Sequence, residues 1–165
     1  MITRIISGQG SSKKVTPKPM SILLVEDNLA HAELVQRGLE GHRVANKIYH
    51  VADGKAALAY LFRRGTYADE KRSPRPHLIL LDLHLPKIGG LDVLRQIKTS
   101  EDLKYIPVVI LTTSAAERDM LRAYEHNANG YVVKPLDLEA FRQLMQEIGY
   151  FWLGWNRGPK SAEFA

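Results

Sequence analysis

Apolar residues follow two alternating patterns along this chain. In the first pattern, short runs are apolar at nearly every position, as in Leu78-Ile79-Leu80-Leu81. Such runs are typical of strands whose two faces are both buried, as in a parallel sheet. The pattern predicts strands at 21–25, 78–81, 106–111 and 130–133, together with a more polar strand at 47–51.

In the second pattern, apolar residues recur every three or four positions, which is typical of amphipathic helices. We predict helices that begin near Asn28, Asp53, Gly89 and Asp137, and a further helix around 120–124. The chain therefore contains five strand–helix pairs in strict alternation. This order predicts an α/β fold with a five-stranded parallel sheet, flavodoxin-like and doubly wound, with strand order 2-1-3-4-5.

Composition places most of the basic charge outside the predicted fold. The chain has 165 residues, a size that fits one domain with tails, and its net charge is +5. Residues 1–19 contain four basic side chains and no acidic one, so we predict a flexible basic leader there. This location argues against nucleic-acid binding by the folded domain, which we place at 20–149, before an aromatic extension at 150–165.

Several classes of protein and site are excluded by what the chain lacks. There is no cysteine, which excludes disulfides and thiolate metal sites and fits a cytoplasmic protein. No stretch approaches the roughly 18 apolar residues of a membrane span, and the first residues do not form a signal peptide. The six histidines lack metal-ligand spacing, so we expect them at the surface or in packing roles.

Acidic, hydroxyl and amino groups stand where the predicted strands end. Glu26 and Asp27 follow the first strand, Asp82 the third, Thr112 the fourth and Lys134 the fifth. The carboxyl ends of parallel strands form the ligand-binding edge of such a sheet, so these groups should converge. Mg²⁺ or Mn²⁺ would hold neighbouring carboxylates ionised. A carboxylate beside such an ion can attack phosphorus and form an aspartyl phosphate.

These residues resemble the signature of the receiver domain of two-component response regulators. The resemblance covers about residues 20–149, and matched positions on four strands make it specific. The matching residues are Glu26-Asp27, Asp82, Pro86, Gly90, Thr112, Tyr131 and Lys134-Pro135.

The resemblance implies a role for each member of the acidic cluster. Asp82 would be the phosphoacceptor, and Lys134 would contact the phosphoryl group. Asp27 and Asp82 would bind Mg²⁺ (or Mn²⁺) together with the backbone carbonyl of His84, while Glu26 would act through water. The family's own activity is limited to self-phosphorylation and self-dephosphorylation, so no separate substrate is expected.

Other matching positions imply a conformational switch. Thr112 and Tyr131 would form the switch pair, the hydroxyl turning toward the phosphoryl group while the aromatic ring turns inward. Pro135 would follow a cis peptide bond, the minority isomer that a fold must hold in place. The side chains of His84 and Ser114 would flank the path of attacking water and so influence the lifetime of the phosphoryl group.

A narrower resemblance points to the single-domain response regulators that serve bacterial and cyanobacterial phytochromes. It depends on the long loop that ends at 73–77, on 80–87 and on the aromatic segment 151–153. It implies that a sensor histidine kinase, a phytochrome, donates the phosphoryl group. Output would then be a protein contact or a change in assembly.

The C-terminal aromatic residues indicate an interface. Phe151, Trp152 and Trp155 continue the apolar spacing of the last helix beyond what a domain of this size needs. Aromatic residues are enriched at interface hot spots, so we predict a homodimer through this helix and extension. The alternative is that Phe151 and Trp152 fold back onto their own domain.

Two other functions are compatible with the sequence. A phosphohydrolase of the haloacid-dehalogenase type also forms an aspartyl phosphate. Such enzymes usually carry a second aspartate two residues after the nucleophile, where this chain has His84. The other alternative is an inert receiver scaffold, against which the intact acidic set argues.

Overall fold

The five predicted strand–helix pairs are present in the computed structural model, which describes residues 18–159. The strands are β1 (Met20–Val25), β2 (Asn46–Val51), β3 (Leu78–Leu81), β4 (Val108–Thr112) and β5 (Gly130–Val133). The helices are α1 (Leu29–Leu39), α2 (Gly54–Leu61), α3 (Gly90–Thr99), α4 (Glu117–Glu125) and α5 (Leu138–Ile148). The strands form one parallel sheet in the order β2-β1-β3-β4-β5, which confirms the predicted fold.

The structure describes only part of the two predicted terminal segments. Almost all of the predicted leader, residues 1–17, lies outside the described residues, as do the last residues of the extension, 160–165. Within 18–159, no helix is long and apolar enough to cross a membrane.

The central strands are apolar at consecutive positions because both faces of the sheet are covered. One face packs against α2 and α3, and the other packs against α1 and α5. The first face carries Leu23, Val25, Ile79, Leu81, Val108 and Ile110. The second face carries Ile22, Leu24, Leu78, Leu80, Val109 and Leu111. Each such side chain contributes about 1.5–3 kcal/mol when fully buried, so the double cover holds the strand ends firmly in place.

Side-chain caps fix where three helices begin. Asn28, Asp53 and Asp137 each accept a hydrogen bond from the backbone N–H three residues later, at 3.1, 2.7 and 2.8 Å. These caps confirm the predicted starts of α1, α2 and α5. Since α1 begins just after β1, its cap also sets the path of the two acidic residues between them.

The fourth strand differs from its predicted bounds by a few residues. It begins at Val108 rather than at 106, because Pro107 has no N–H to donate to the ladder. It also continues through Thr112, whose carbonyl accepts a hydrogen bond from the Lys134 N–H at 2.7 Å. The predicted hydroxyl and amino side chains are therefore anchored to one another through the backbone.

Beyond α5, the chain continues as a π-helical segment, Gly149–Trp155. Trp152 packs against the core of its own domain, whereas Phe151 is 53% exposed and Trp155 is 77% exposed. In a π-helix each hydrogen bond spans one residue more than in an α-helix. The aromatic residues therefore do not share one helix face, as α-helical spacing predicted, and only some of them face the core. The fold-back alternative therefore holds for Trp152 and not for Phe151.

Candidate functional site

Three carboxylates meet at the carboxyl edge of the sheet, as predicted. Glu26 and Asp27 follow β1 and Asp82 follows β3, and one ligand oxygen from each lies within 4.8 Å of the others. β1 and β3 are paired neighbours, and the Asp82 N–H donates to the Val25 carbonyl at 3.1 Å. Glu26 is 1% exposed and Asp82 is 7% exposed, whereas Asp27 is open to solvent.

The Lys134 ammonium group lies among these acids. Its Nζ donates to Glu26 Oε2 and, at 3.1 Å, to Asp82 Oδ2. A buried charge is tolerated only when it is paired, so this lysine is what allows two acids to be buried here. Three carboxylates against one ammonium group leave two negative charges, which one divalent cation would balance.

The donor set fits Mg²⁺ or Mn²⁺. Glu26, Asp27 and Asp82 offer only carboxylate oxygens, which these hard cations prefer. The exposure of Asp27 leaves room for water or a phosphoryl oxygen on the solvent side. Asp82 Oδ2 is bonded to Lys134 and Oδ1 accepts from the His84 N–H at 3.3 Å, so its carboxylate plane is already oriented.

Glu26 is the most deeply buried of the three acids. Burial raises the pKa of its carboxyl group above the ordinary value, against the lowering effects of the Lys134 ammonium group and the Asn28 N–H. The Asn28 N–H donates to Glu26 Oε1 at 3.0 Å. Both oxygens of this carboxylate are therefore engaged within the protein.

Without a divalent cation, the free energy of unfolding is expected to decrease as pH rises above about 4.5, the ordinary pKa of this residue type. The reason is that a raised pKa in the folded state means that the folded chain binds more protons than the unfolded chain. Glutamine does not titrate, so the free energy of unfolding of the Glu26→Gln variant should decrease less over the same pH range. Urea unfolding of both proteins in a chelating buffer, from acidic to neutral pH, measures the difference. Identical pH profiles for the two proteins would contradict the assignment.

The two predicted switch residues are joined through Ser114. Thr112 is fully buried, and its Oγ1 accepts a hydrogen bond from the Ser114 N–H at 3.3 Å. The Tyr131 hydroxyl donates to the Ser114 carbonyl at 2.9 Å. Burial raises the pKa of Tyr131 above its usual range, so the hydroxyl is a neutral donor.

The expectation of a cis bond before Pro135 is wrong for this structure. Residues 18–159 contain no cis peptide bond, so the chain leaves Lys134 in the trans form. Trans is the lower-energy isomer of an X–Pro bond by about 0.5–1 kcal/mol. The trans bond still allows the Lys134 N–H to pair with β4 and its side chain to reach the acids.

Gly90, at the start of α3, lies directly against the backbone that carries Asp82. A Cβ atom at this position would stand 2.1 Å from the Asp82 carbonyl oxygen and 2.6 Å from Leu83 Cα. Both neighbours are backbone atoms at the end of β3 and cannot move aside as a flexible side chain would. Glycine therefore permits the close contact that sets the position of Asp82 relative to α3.

The Gly90→Ala variant is expected to lower the free energy of unfolding by about 3 kcal/mol, because overpacking here displaces backbone. The variant should also be phosphorylated more slowly. The added methyl group pushes the Asp82 carbonyl away, and the Asp82 side chain moves with its backbone. Gly89→Ala is the matched control: a Cβ atom there would meet nothing within 4 Å, and we expect a change within about 1 kcal/mol. Urea unfolding measures both, and equal effects of the two substitutions would contradict the assigned role of Gly90.

Two residues of the site escaped the sequence prediction. His31, expected at the surface, places Nδ1 3.2 Å from Lys134 Nζ and 3.8 Å from Glu26 Oε1. Asp119 in the first turn of α4 accepts a hydrogen bond from the Ser114 hydroxyl at 2.6 Å. Each lies in the first turn of a helix that follows a strand, a few residues after the strand ends. That short separation along the sequence could have indicated that both residues lie near the site.

The C-terminal aromatic residues are not part of this cluster. Trp152, Met20 and Pro107 line a cavity of about 720 Å³ at the amino edge of the sheet. The acids occupy the opposite, carboxyl edge. This large cavity is therefore unrelated to the acidic site, and the two regions predicted to be functional lie at opposite ends of the strands.

Two relatives match more than four fifths of the chain. Probable methanogenesis regulatory protein FilR2 of Methanothrix harundinacea is 49% identical, over 87% of this chain and 90% of its own length. Response regulator Rcp1 of Synechocystis sp. is 46% identical, over 82% of this chain and 90% of its own length.

Solved structures give the same result. The Mn²⁺-bound form of Rcp1 is 44% identical with a TM-score of 0.80, covering 86% of this chain and 100% of the other. The phosphorylated cyanobacterial phytochrome response regulator RcpA is 41% identical with a TM-score of 0.82, covering 87% of this chain and 100% of the other. The family model of the response regulator receiver domain matches residues 22–146. Sequence, fold and acidic cluster agree, and the chain belongs to the response regulator receiver family, which is phosphorylated on aspartate in two-component signalling.

Proposed function

We propose that Asp82 is the aspartate that accepts the phosphoryl group. The assignment depends on the position of Asp82. Its carboxylate lies between Lys134, whose Nζ is 3.1 Å from Asp82 Oδ2, and the solvent-exposed Asp27, with which it could hold a cation. Glu26 is less suited, because it is the more deeply buried acid, and the Asn28 N–H bonds its Oε1 at 3.0 Å, closer than the 3.3 Å contact between the His84 N–H and Asp82 Oδ1. Asp27 is exposed and is better placed as a metal ligand.

In the proposed reaction, a carboxylate oxygen of Asp82 forms a bond to phosphorus. The bond between phosphorus and the donor breaks, and the donor histidine nitrogen, or acetate from acetyl phosphate, leaves with the electron pair. The Lys134 ammonium group and the Thr112 hydroxyl stabilise the charge on the phosphoryl oxygens. The proposed switch couples the Thr112 movement that this requires to an inward position of the Tyr131 ring, which in this structure already packs partly buried against the core.

Asp27, Asp82 and the His84 carbonyl are the proposed direct metal ligands, with Glu26 acting through water. When bound, Mg²⁺ or Mn²⁺ supplies positive charge opposite the phosphoryl oxygens. The side chains of His84 and Ser114 flank the route of water to the site and influence how long the phosphoryl group persists.

The phosphoryl donor of a response regulator is a histidine kinase, and we propose that the kinase here is a phytochrome. Support comes from the 41% identity to RcpA, a cyanobacterial phytochrome response regulator. A cytoplasmic location belongs to the same proposal. The test is phosphotransfer from a phosphorylated bacterial phytochrome, with an unrelated histidine kinase as control. We expect faster phosphotransfer to the wild type from the phytochrome than from the unrelated kinase, and no transfer to Asp82→Asn. Equal rates from the two kinases would contradict the proposal that a phytochrome is the partner.

A homodimer through α5 and the C-terminal segment is also part of the proposal. Phe151 and Trp155 are more than half exposed on the π-helical segment, and aromatic residues of this kind anchor interfaces. Removing 150–165 would also uncover core, because Leu153 is buried within that segment. Point variants are therefore the cleaner test.

Light scattering should give a dimer mass for the wild type and a monomer mass for the Phe151→Ser/Trp155→Ser variant. Tyr124→Ser is the matched control, because Tyr124 is an exposed aromatic residue on α4. It should stay dimeric. A dimer that survives the double substitution would contradict the proposed interface.

A further inference from the structure

The Lys134 ammonium group has three hydrogens, and three acceptors lie within hydrogen-bond distance of its nitrogen. Two are carboxylate oxygens of the acidic cluster, Glu26 Oε2 and, at 3.1 Å, Asp82 Oδ2. The third is Nδ1 of the His31 ring, 3.2 Å from Lys134 Nζ. An ammonium group can only donate hydrogen bonds, so Nδ1 is the acceptor and the ring carries its proton on Nε2.

The His31 ring differs from the other two acceptors in charge and in exposure. Its side chain is 32% exposed, whereas the side chains of Lys134, Glu26 and Asp82 are all buried. Of the three acceptors, the ring is therefore the neutral one and the one that reaches solvent. It can hold the ammonium group without adding a further negative charge to the cluster.

A role in capping α1 does not account for this contact. The hydrogen bond that the Asn28 side chain accepts at the start of α1 comes from the backbone N–H of His31, so the cap does not need the ring. Glu26 Oε1 lies 3.8 Å from Nδ1, which is too far for a hydrogen bond. The polar contact of Nδ1 is therefore the one with Lys134.

We propose that His31 is a positioning residue for Lys134, and that its ring holds the ammonium group in the orientation that phosphorylation requires. This inference rests on the proposed role of Asp82 as phosphoacceptor. It assigns His31 no contact with the phosphoryl group itself. The ring acts only through the lysine.

Phosphorylation of Asp82 alters one of the three contacts and leaves two. When an Asp82 oxygen bonds to phosphorus, the carboxylate becomes an acyl phosphate and the negative charge lies on the phosphoryl oxygens. The N–H that Lys134 donates to Asp82 Oδ2 then turns toward a phosphoryl oxygen. Glu26 and His31 take no part in the new bond, so they hold the ammonium group while its third N–H changes partner.

The test titrates the full chain by calorimetry, with beryllofluoride as a phosphoryl analogue and, separately, with Mg²⁺ alone. His31→Leu removes the acceptor and keeps a side chain of similar size. It should bind beryllofluoride in the presence of Mg²⁺ about fivefold more weakly than the wild type, the lower end of couplings between linked groups. Its affinity for Mg²⁺ alone should be unchanged, because His31 is not among the proposed metal ligands.

Two amide variants separate the hydrogen bond from the space that the ring fills. The side-chain oxygen of asparagine can take the position of Nδ1, so His31→Asn should restore most of the affinity for beryllofluoride. The oxygen of glutamine stands one bond further from the backbone, so His31→Gln should bind like His31→Leu. Gln36→Leu, at an exposed position of α1, controls for the added leucine and should match the wild type.

Damage to the fold would have a different signature from the loss of this contact. It would weaken the binding of Mg²⁺ and of beryllofluoride together, and asparagine would not repair it. Unchanged or tighter beryllofluoride binding by His31→Leu, a parallel loss of Mg²⁺ affinity, or an Asn variant that binds no better than the Leu variant would overturn the inference.

The experiment also separates this inference from the proposed function. If the wild type binds no beryllofluoride in the presence of Mg²⁺, the phosphoacceptor assignment fails, and the inference fails with it. If the wild type binds it and His31→Leu binds it equally well, only the role of His31 fails.

Discussion

The Asp82→Asn variant is expected to gain no phosphoryl group from acetyl phosphate and Mg²⁺, whereas the wild type gains one. The substitution replaces the attacking carboxylate oxygen by an amide of nearly the same shape, so chemistry is lost while packing is kept. Asp82 lies beside Lys134 within the carboxylate cluster, and it is less deeply buried than Glu26, the other acid that Lys134 contacts. Intact-protein mass spectrometry measures the result.

Asp92→Asn is the matched control for this experiment. Asp92 is an exposed aspartate in the first turn of α3, on the same segment that follows Asp82. Its variant should be labelled like the wild type. Labelling that persists in Asp82→Asn would show that another residue is the acceptor.

The Lys134→Met variant is expected to lower both the rate of phosphorylation and the stability of the protein. The rate should decrease about 10²- to 10³-fold, the usual effect of removing one group that stabilises developing charge. Without a cation, the free energy of unfolding should decrease by about 3–5 kcal/mol near neutral pH, because the substitution leaves buried acids unpaired. The loss should be smaller at acidic pH, where protonation removes the uncompensated charge of Glu26.

Rates of labelling and urea unfolding in a chelating buffer check both parts of this prediction. Lys104→Met is the control, since the Lys104 ammonium group also pairs with a carboxylate, Glu101 Oε2 at 2.6 Å, but at the surface. Surface pairs of this kind contribute little to stability, because water and salt screen them. If the two methionine variants label and unfold alike, the buried Lys134 contacts do not have the importance assigned to them.

The buried strands of the parallel sheet were predictable from the sequence because the central strands are covered on both faces. Leu78 and Leu80 pack on one side while Ile79 and Leu81 pack on the other, so every position of β3 must be apolar. A run this short and this uniformly apolar does not fit a helix or a strand with one face in water. The bounds of β4 were less certain, because whether a residue pairs at a strand end depends on its neighbour, as for Pro107 and Thr112.

Convergence of the acids was predictable because strand ends meet at one edge of a parallel sheet. The contacts inside the cluster were not, because they depend on side-chain direction. His31 reaches Lys134 only because α1 begins where it does, and Asp119 meets Ser114 only because the β4–α4 loop brings the two side chains within hydrogen-bond distance. The C-terminal aromatic stripe was predicted with α-helical spacing, and the π-helical segment changed which residues face outward.

Locating the acyl phosphate in the wild-type chain shows directly whether Asp82 carries the phosphoryl group. Borohydride reduces an aspartyl phosphate to homoserine, which peptide mass spectrometry then assigns to one position. After treatment with acetyl phosphate and Mg²⁺, we expect homoserine at position 82 and at no other aspartate. Homoserine at Asp27, with Asp82 unmodified, would contradict the assignment.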